Sequence, residues 1–415
     1  MTATGHLKRA VFIVATASVT TALAAEALLR IDNPIQSRVR GDRIVLVANK
    51  SYTIRNTTVP RLPPTIAVRL NSLGFRGAEP PARFADSLTV VAIGGSTTQS
   101  FFISDGLTWT DRLAARLTRS VPTIWVDNAG LDGHSTFGHL VLLDDYIVPL
   151  HPKVALFLVG LNDVDRTDLS AYERETVRSR WSFRSPASLA KSLAAYSELA
   201  STLINLVRSV EAYQRGLVHR PIDVRQRELL TVDEHALDRY VQRFVNDALA
   251  GYERRVNAIV DRTRGAGIEP VLITQPMLLG SGVDDVTGVD LARVRANAAT
   301  QSGAMYWRPL ELYNDVVRRI GAARGVLVVD LAHQLPKSSR FFYDFTHFTV
   351  EGSDRVAAIV AAALCPMLER RFPSAVVASC PPEGLSAPPS ASDGTAPPAT
   401  SAIAARARST AARDP

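Results

Sequence analysis

The stretch Leu88–Ser100, LTVVAIGGSTTQS, decides how the rest of the chain is read. Leu88 to Ile93 is short, almost wholly apolar and rich in Val and Ile, the pattern of a strand buried on both faces of a parallel sheet. Gly94 and Gly95 end it. Glycine there allows a sharp turn or a close backbone approach, so Ser96 follows at the carboxyl end of the strand, where open parallel sheets place their ligands. The same Gly-Gly-Ser-Thr also reads as a plain strand-to-helix loop whose Ser or Thr caps the next helix. Only partners elsewhere in the chain decide between a cap and a nucleophile.

Outward from this stretch, apolar runs and helical patterns alternate. Thr123–Val126 and Val154–Val159 read as strands, with helices near Thr108–Leu117 and Thr136–Tyr146; two later strands, Pro270–Thr274 and Gly325–Asp330, each follow a helical pattern. Such alternation predicts right-handed βαβ crossovers. The expected fold class is α/β, a three-layer α/β/α sandwich with a central parallel sheet of about five strands in flavodoxin-like order. An insertion at about 165–237 separates the third strand from the fourth. In it Leu189, Leu193, Tyr196, Leu199, Leu203, Leu206, Val210 and Tyr213 step by three and four. That spacing predicts an amphipathic helix with one buried face, either packed on the domain or serving as a lid or acyl-chain wall.

With 415 residues, 46% of them hydrophobic, the chain can bury a large core. Its net charge of +7 comes from Lys and Arg scattered along the sequence rather than a dense basic tract, so a nucleic-acid partner is not expected. Cys365 and Cys380 form no CxxC pair, and His134, His139 and His151 have mixed spacing without paired carboxylates. No metal and no cofactor are expected. At the N-terminus, His6, Lys8 and Arg9 precede the apolar stretch Ala10–Ala25, which continues to Leu29 broken only by Glu26. Residues 1–31 read as a signal peptide cleaved after Ala22-Leu23-Ala24 or as an uncleaved signal-anchor helix, with a buried cytosolic helix as the third reading. Lys8 and Arg9 keep the N-terminus inside, which puts the main domain outside the cytoplasm, membrane-anchored or secreted. A Cys365–Cys380 disulfide is compatible with that compartment. Residues 32–70 form a proline-punctuated linker or short strands, and the main domain runs over 71–372. Residues 381–415, rich in Pro, Ala, Ser and Thr, are expected to be disordered.

The second and third strands end in Asp127-Asn128-Ala129-Gly130 and Gly160-Leu161-Asn162-Asp163. Along one edge of a parallel sheet, Ser96, Gly130 and Asn162 converge on one crevice. Acyl transfer needs a nucleophilic hydroxyl and donors aimed at the oxyanion, here the N–H groups of Ser96 and Gly130 and the Asn162 amide. The base is found at Tyr343-Asp344-Phe345-Thr346-His347, after the last strand. Three residues apart, Asp344 can orient the His347 ring while its other nitrogen reaches Ser96. Gln275-Pro276 is expected as a rigid turn near the crevice, and Arg76 and Tyr343 as substrate contacts or packing residues.

These blocks, Ile93-Gly94-Gly95-Ser96-Thr97-Thr98, Asn128-Ala129-Gly130, Gly160-Leu161-Asn162-Asp163 and Asp344-Phe345-Thr346-His347, resemble those of the SGNH subgroup of the GDSL hydrolases. The resemblance spans Asn71 to Leu368 apart from the insertion. It departs from the family where the usual Gly-Asp-Ser reads Gly-Gly-Ser, a change that bears on the substrate more than on the chemistry. No G-x-S-x-G elbow surrounds Ser96, which argues against an α/β-hydrolase. The resemblance implies hydrolysis of small-molecule or glycan esters, with Ser96, His347 and Asp344 as the catalytic residues and Ser96, Gly130 and Asn162 as the oxyanion hole. The alternative is an acyltransferase acting on an envelope glycan with the same residues.

Overall fold

The computed structural model describes residues 3–31, 33, 39–40, 43–164, 193–214, 219–296 and 301–379. Its centre is a five-stranded parallel sheet of β5 (Leu88–Gly94), β6 (Ile124–Asn128), β7 (Val154–Val159), β8 (Glu269–Thr274) and β9 (Leu327–Val329), in the order β6-β5-β7-β8-β9. Among the described residues, four strands paired antiparallel two by two precede it: Val39–Arg40 (β1), Arg43–Ile44 (β2), Lys50–Arg55 (β3) and Thr65–Leu70 (β4). The central order is flavodoxin-like, and its reversal between β5 and the later strands opens a crevice at their carboxyl ends.

Alternation along the strands explains why the runs are apolar throughout. Val90, Ala92, Leu156, Leu158, Val271 and Ile273 join one core cluster, whereas Val91, Ile93, Ala155, Phe157, Val159 and Leu272 join the other. Helices α3 (Trp109–Leu117) and α9 (Val350–Arg371) cover the first face; α4 (Thr136–Leu142), α6 (Glu234–Asp247), α7 (Leu249–Gly265) and much of α8 (Gly303–Arg324) cover the second. Full burial of each Val, Leu, Ile or Phe contributes about 1.5–3 kcal/mol, so both faces are strongly specified. Thr108 starts α3 with a capping box to Asp111, and Thr349 caps α9 by accepting the Gly352 N–H. His347 thus lies two residues before a helix cap, on a loop whose ends are tied by Thr349 N–H to Phe341 O at 2.9 Å.

The segment 32–70 supplies the short strands: β3 and β4 pair antiparallel and bury Ile66 and Val68. The loop between them contributes Val59 and Leu62 to a small cluster with Ile103 and Tyr343. Helix α1 (Ala3–Ile31) contains Lys8–Ile31, which is long and apolar enough to cross a membrane and is not buried against the protein. In the insertion, 165–192 lie outside the described residues, Leu189 among them. Helix α5 (Glu198–Gln214) corrects the expectation of one buried apolar face. Leu203, Leu206 and Val210 are about half exposed and Tyr196 is 70% exposed, while the buried positions are Ser201 and Thr202. The reason is the neighbour that α5 meets: Glu26 of α1 accepts the backbone N–H groups of Glu198 and Leu199, and Asn33 donates to Thr202, so a polar edge is what packs. The tail 381–415 lies outside the described residues.

Candidate active site

Ser96 begins the short helix α2 (Ser96–Gln99) directly after β5. Backbone N–H groups in a first helical turn have no intrahelical partner, so this position offers donors as well as a hydroxyl. The far end of α2 is held by Arg76, which is 5% exposed and donates to the carbonyls of Gln99, Ser100 and Ile103 and to Asp105. Gln99 O is an acceptor that the helix end leaves without an intrahelical partner, and the next residue, Ser100, takes a left-handed φ of 55°. Arg76 therefore holds α2 from behind.

Although Ser96 and His347 are 251 residues apart in sequence, Ser96 Oγ lies 2.8 Å from His347 Nε2. His347 Nδ1 is 2.7 Å from Asp344 Oδ2, and Asp344 Oδ1 accepts the N–H groups of Thr346 and His347 at 2.8 and 2.7 Å. Burial pushes the Asp344 carboxyl up, but the facing His347 ring and these N–H donors outweigh it and hold the group below the ordinary aspartate value. The carboxylate stays ionised beside the imidazole. This arrangement can accept a proton from Ser96 and stabilise the resulting imidazolium.

Asn162 is aimed by Gly160, whose φ of 124° turns the chain out of β7 into the turn Leu161–Asp163. Its Nδ2 donates one hydrogen to His134 O at 2.9 Å, and an amide nitrogen carries a second hydrogen. Gly95 passes so close that a Cβ on it would overlap that nitrogen. The glycine that departs from Gly-Asp-Ser thus stands at a close approach to the Asn162 amide, not at a positive φ. Gly95→Ala is expected to push the Asn162 amide aside and lower kcat by about ten- to a hundredfold with KM little changed. Steady-state kinetics on a variant of unchanged melting temperature checks this, and a wild-type rate would show that the amide tolerates displacement.

The Gly130 N–H is not a free donor in this arrangement. Its N–H is donated to Asn128 Oδ1 at 2.9 Å, while Asn128 Nδ2 donates to Thr98 O at 2.6 Å and Thr110 Oγ1 at 3.2 Å. An asparagine side chain readily reaches the backbone two residues on, and here it binds its own loop to α2. Gln275 meets the expectation of a turn at the crevice, with its Oε1 accepting from Thr97 Oγ1 at 3.1 Å. Tyr343 is buried.

Sequence reasoning missed three supports. Asn128 is one. The second is Asp163, 1% exposed, which accepts the N–H and hydroxyl of Thr136 and a bond from Arg255 at 3.2 Å, fixing the His134 loop against Asn162. Burial raises the Asp163 carboxyl, with Thr136 and Arg255 offsetting part of the rise. The third is His219, from the insertion, whose ring centroid lies 4.1 Å from that of His347. Asn128 and Asp163 stand in the quoted blocks but were given no role there, and His219 had no periodic or motif signal. Of the ligand-type side chains described, His219, Asp344 and His347 place ligand atoms within 4.8 Å of one another; His134, His139 and His151 do not form such a group. An apolar cleft lined by Tyr52, Val68, Leu70, Phe101 and Leu131 includes none of Ser96, Asn162 and His347.

The GDSL-like Lipase/Acylhydrolase family matches residues 92–355. No curated protein matches the chain. Similar solved structures include an α/β hydrolase enzyme from the metagenome of Lake Arreo, Spain, at 16% identity and a TM-score of 0.37, covering 66% of this chain and 94% of that one. A lipase/acylhydrolase from Enterococcus faecalis is 15% identical at a TM-score of 0.36, covering 66% and 94%. An acetylxylan esterase from Geobacillus stearothermophilus is 14% identical at 0.37, covering 66% and 93%. The family match spans well over half of the 415 residues and takes in β5 to the start of α9, so the chain belongs to the GDSL-like lipase/acylhydrolase family and is a carboxylic ester hydrolase.

Proposed function

We propose that Ser96 is the nucleophile of this hydrolase, His347 its general base and acid, and Asp344 the residue that orients and electrostatically supports His347. The observation that carries the reading is the unbroken series Ser96 Oγ, His347 Nε2, His347 Nδ1 and Asp344 Oδ2, with spacings of 2.8 Å between Ser96 and His347 and 2.7 Å between His347 and Asp344. Ser96 Oγ attacks the acyl carbon as its proton passes to His347 Nε2. The carbonyl oxygen takes up negative charge beside the Ser96 N–H and the Asn162 amide. Collapse breaks the ester C–O bond, and His347 returns the proton to the departing alcohol. Water then attacks the acyl-enzyme by the same route, releasing the acid and restoring Ser96. Gly130 joins the oxyanion donors only by giving up its bond to Asn128.

The substrate we assign is an ester with a small acyl group, acetyl above all, on a small molecule or a glycan outside the cytoplasm. Two observations support the location: the apolar α1 ahead of the domain, and Cys365, which is held in a disulfide, a bond favoured in oxidising compartments. Cys380 lies outside the described residues. The small acyl group is supported by α5, whose apolar residues stand half exposed instead of walling an enclosed chamber. Each methylene gains about 0.8 kcal/mol only where apolar wall exists. From acetyl to octanoyl esters, kcat/KM is therefore expected to fall or stay flat. A rise of about tenfold or more, lost when Leu203, Leu206 and Val210 are replaced by serine, would overturn the assignment. Identifying products by mass, with water and with glycan acceptors present, separates hydrolysis from transfer to a sugar hydroxyl.

A further inference from the structure

The His347 ring is held at its two nitrogens, by Ser96 and Asp344, but those bonds leave it free to tilt about the line that joins them. What lies against its faces therefore bears on how well it stays in line. His219 packs there with ring centroids 4.1 Å apart and planes inclined at 41°, and only 16% of the His347 side chain remains exposed. His219 is itself anchored. Its Nδ1 is 2.8 Å from the Tyr343 hydroxyl, and Nε2 faces the Asp132 carboxylate at 3.8 Å. Phe102 meets its ring edge to face at 5.4 Å, and Phe101 stacks at 6.0 Å.

The segment that delivers His219 is tied down as well. Three residues on, the Ile222 N–H donates to Tyr343 O at 3.0 Å, and Val224 is buried in the main core. His219 thus spans the crevice from the loop carrying His347 to the loop carrying Asp132. Neither of its nitrogens bonds to Ser96 or His347, which excludes a direct proton relay in this arrangement.

Building on the Ser96–His347–Asp344 reading, we propose that His219 is a positioning residue: its ring holds the His347 imidazole in line between Ser96 and Asp344, and Tyr343 holds His219. The insertion at 165–237 thereby completes the catalytic centre from outside the parallel sheet.

The test uses the full chain and p-nitrophenyl acetate, with kcat, KM, the rate of fluorophosphonate labelling and the melting temperature measured for each variant. His219→Ala is expected to lower kcat and the labelling rate about tenfold, with KM within about twofold. His219→Phe keeps a ring against His347 and should recover to within about threefold of wild type, whereas His219→Asn keeps an acceptor for Tyr343 but no ring and should behave like alanine. Three results overturn the proposal: kcat of His219→Ala within about twofold of wild type, equal losses for Ala and Phe, or a raised KM at unchanged kcat, which marks a substrate contact instead. Should His219→Ala fail to fold, Tyr343→Phe decides, because it removes one hydroxyl and leaves every ring. A fall in kcat beyond about twofold supports the proposal and a rate within about twofold of wild type ends it. Activity that survives Ser96→Ala would instead remove the triad reading beneath it.

Discussion

Ser96→Ala is expected to lower kcat/KM by at least about 10⁴-fold and to abolish covalent labelling by a fluorophosphonate. The size follows from what is lost. Without the hydroxyl no acyl-enzyme forms, and His347 Nε2 keeps its place 2.8 Å from an atom that is no longer there. Oxyanion donors and substrate binding remain, and they account for the residual rate. The same probe tests the location if offered to spheroplasts in membrane-permeant and impermeant forms. Labelling of wild type by both is expected. Labelling by the permeant form alone would put the site in the cytosol, and labelling that survives Ser96→Ala would move the nucleophile elsewhere.

Asn162→Ala is expected to lower kcat by roughly 10²–10³-fold with little change in KM, because an oxyanion donor acts mainly in the transition state. The geometry makes this a clean test. The Asn162 amide is oriented by His134 O at 2.9 Å, and that loop is braced independently by Asp163, Thr136 and Arg255. Alanine at 162 removes the donor and leaves the bracing intact. Steady-state kinetics should show the whole loss in kcat. Turnover within about threefold of wild type would mean that Asn162 does not face the developing charge.

Both predictions rest on residues that were legible in the sequence, and the reason is local. Strands buried on both faces announce themselves as apolar runs, so β5, β6 and β7 and the residues just beyond their carboxyl ends could be located without coordinates. Once those ends are known, parallel topology brings Ser96 and Asn162 to one edge. Asp344 and His347 are three residues apart on one turn, so their pairing too is a short-range property. Gly130 shows where such reasoning stops. A glycine after a strand looks like a backbone donor, yet the direction of its N–H is set by a competing acceptor, the Asn128 side chain. The apolar periodicity of α5 likewise predicted a buried face, but periodicity cannot say which neighbour a helix meets, and α5 meets the polar end of α1.

The sequence by itself determined the parallel α/β sheet and the membrane-length α1, which are written in short-range periodicity, and it singled out Ser96, Asn162, Asp344 and His347 as site candidates through strand-end position, spacing and a family resemblance. Tertiary structure alone decided that Arg76 clamps the back of α2, that Asn128 takes the Gly130 N–H, that Arg255 braces the Asn162 loop and that His219 covers His347. His219 and its anchor Tyr343 are 124 residues apart, and His219 lies past the periodic stretch of the insertion, which ends at Tyr213. Contacts of that range depend on how whole elements pack and which polar groups burial leaves in need of partners, and single-residue identity carries neither.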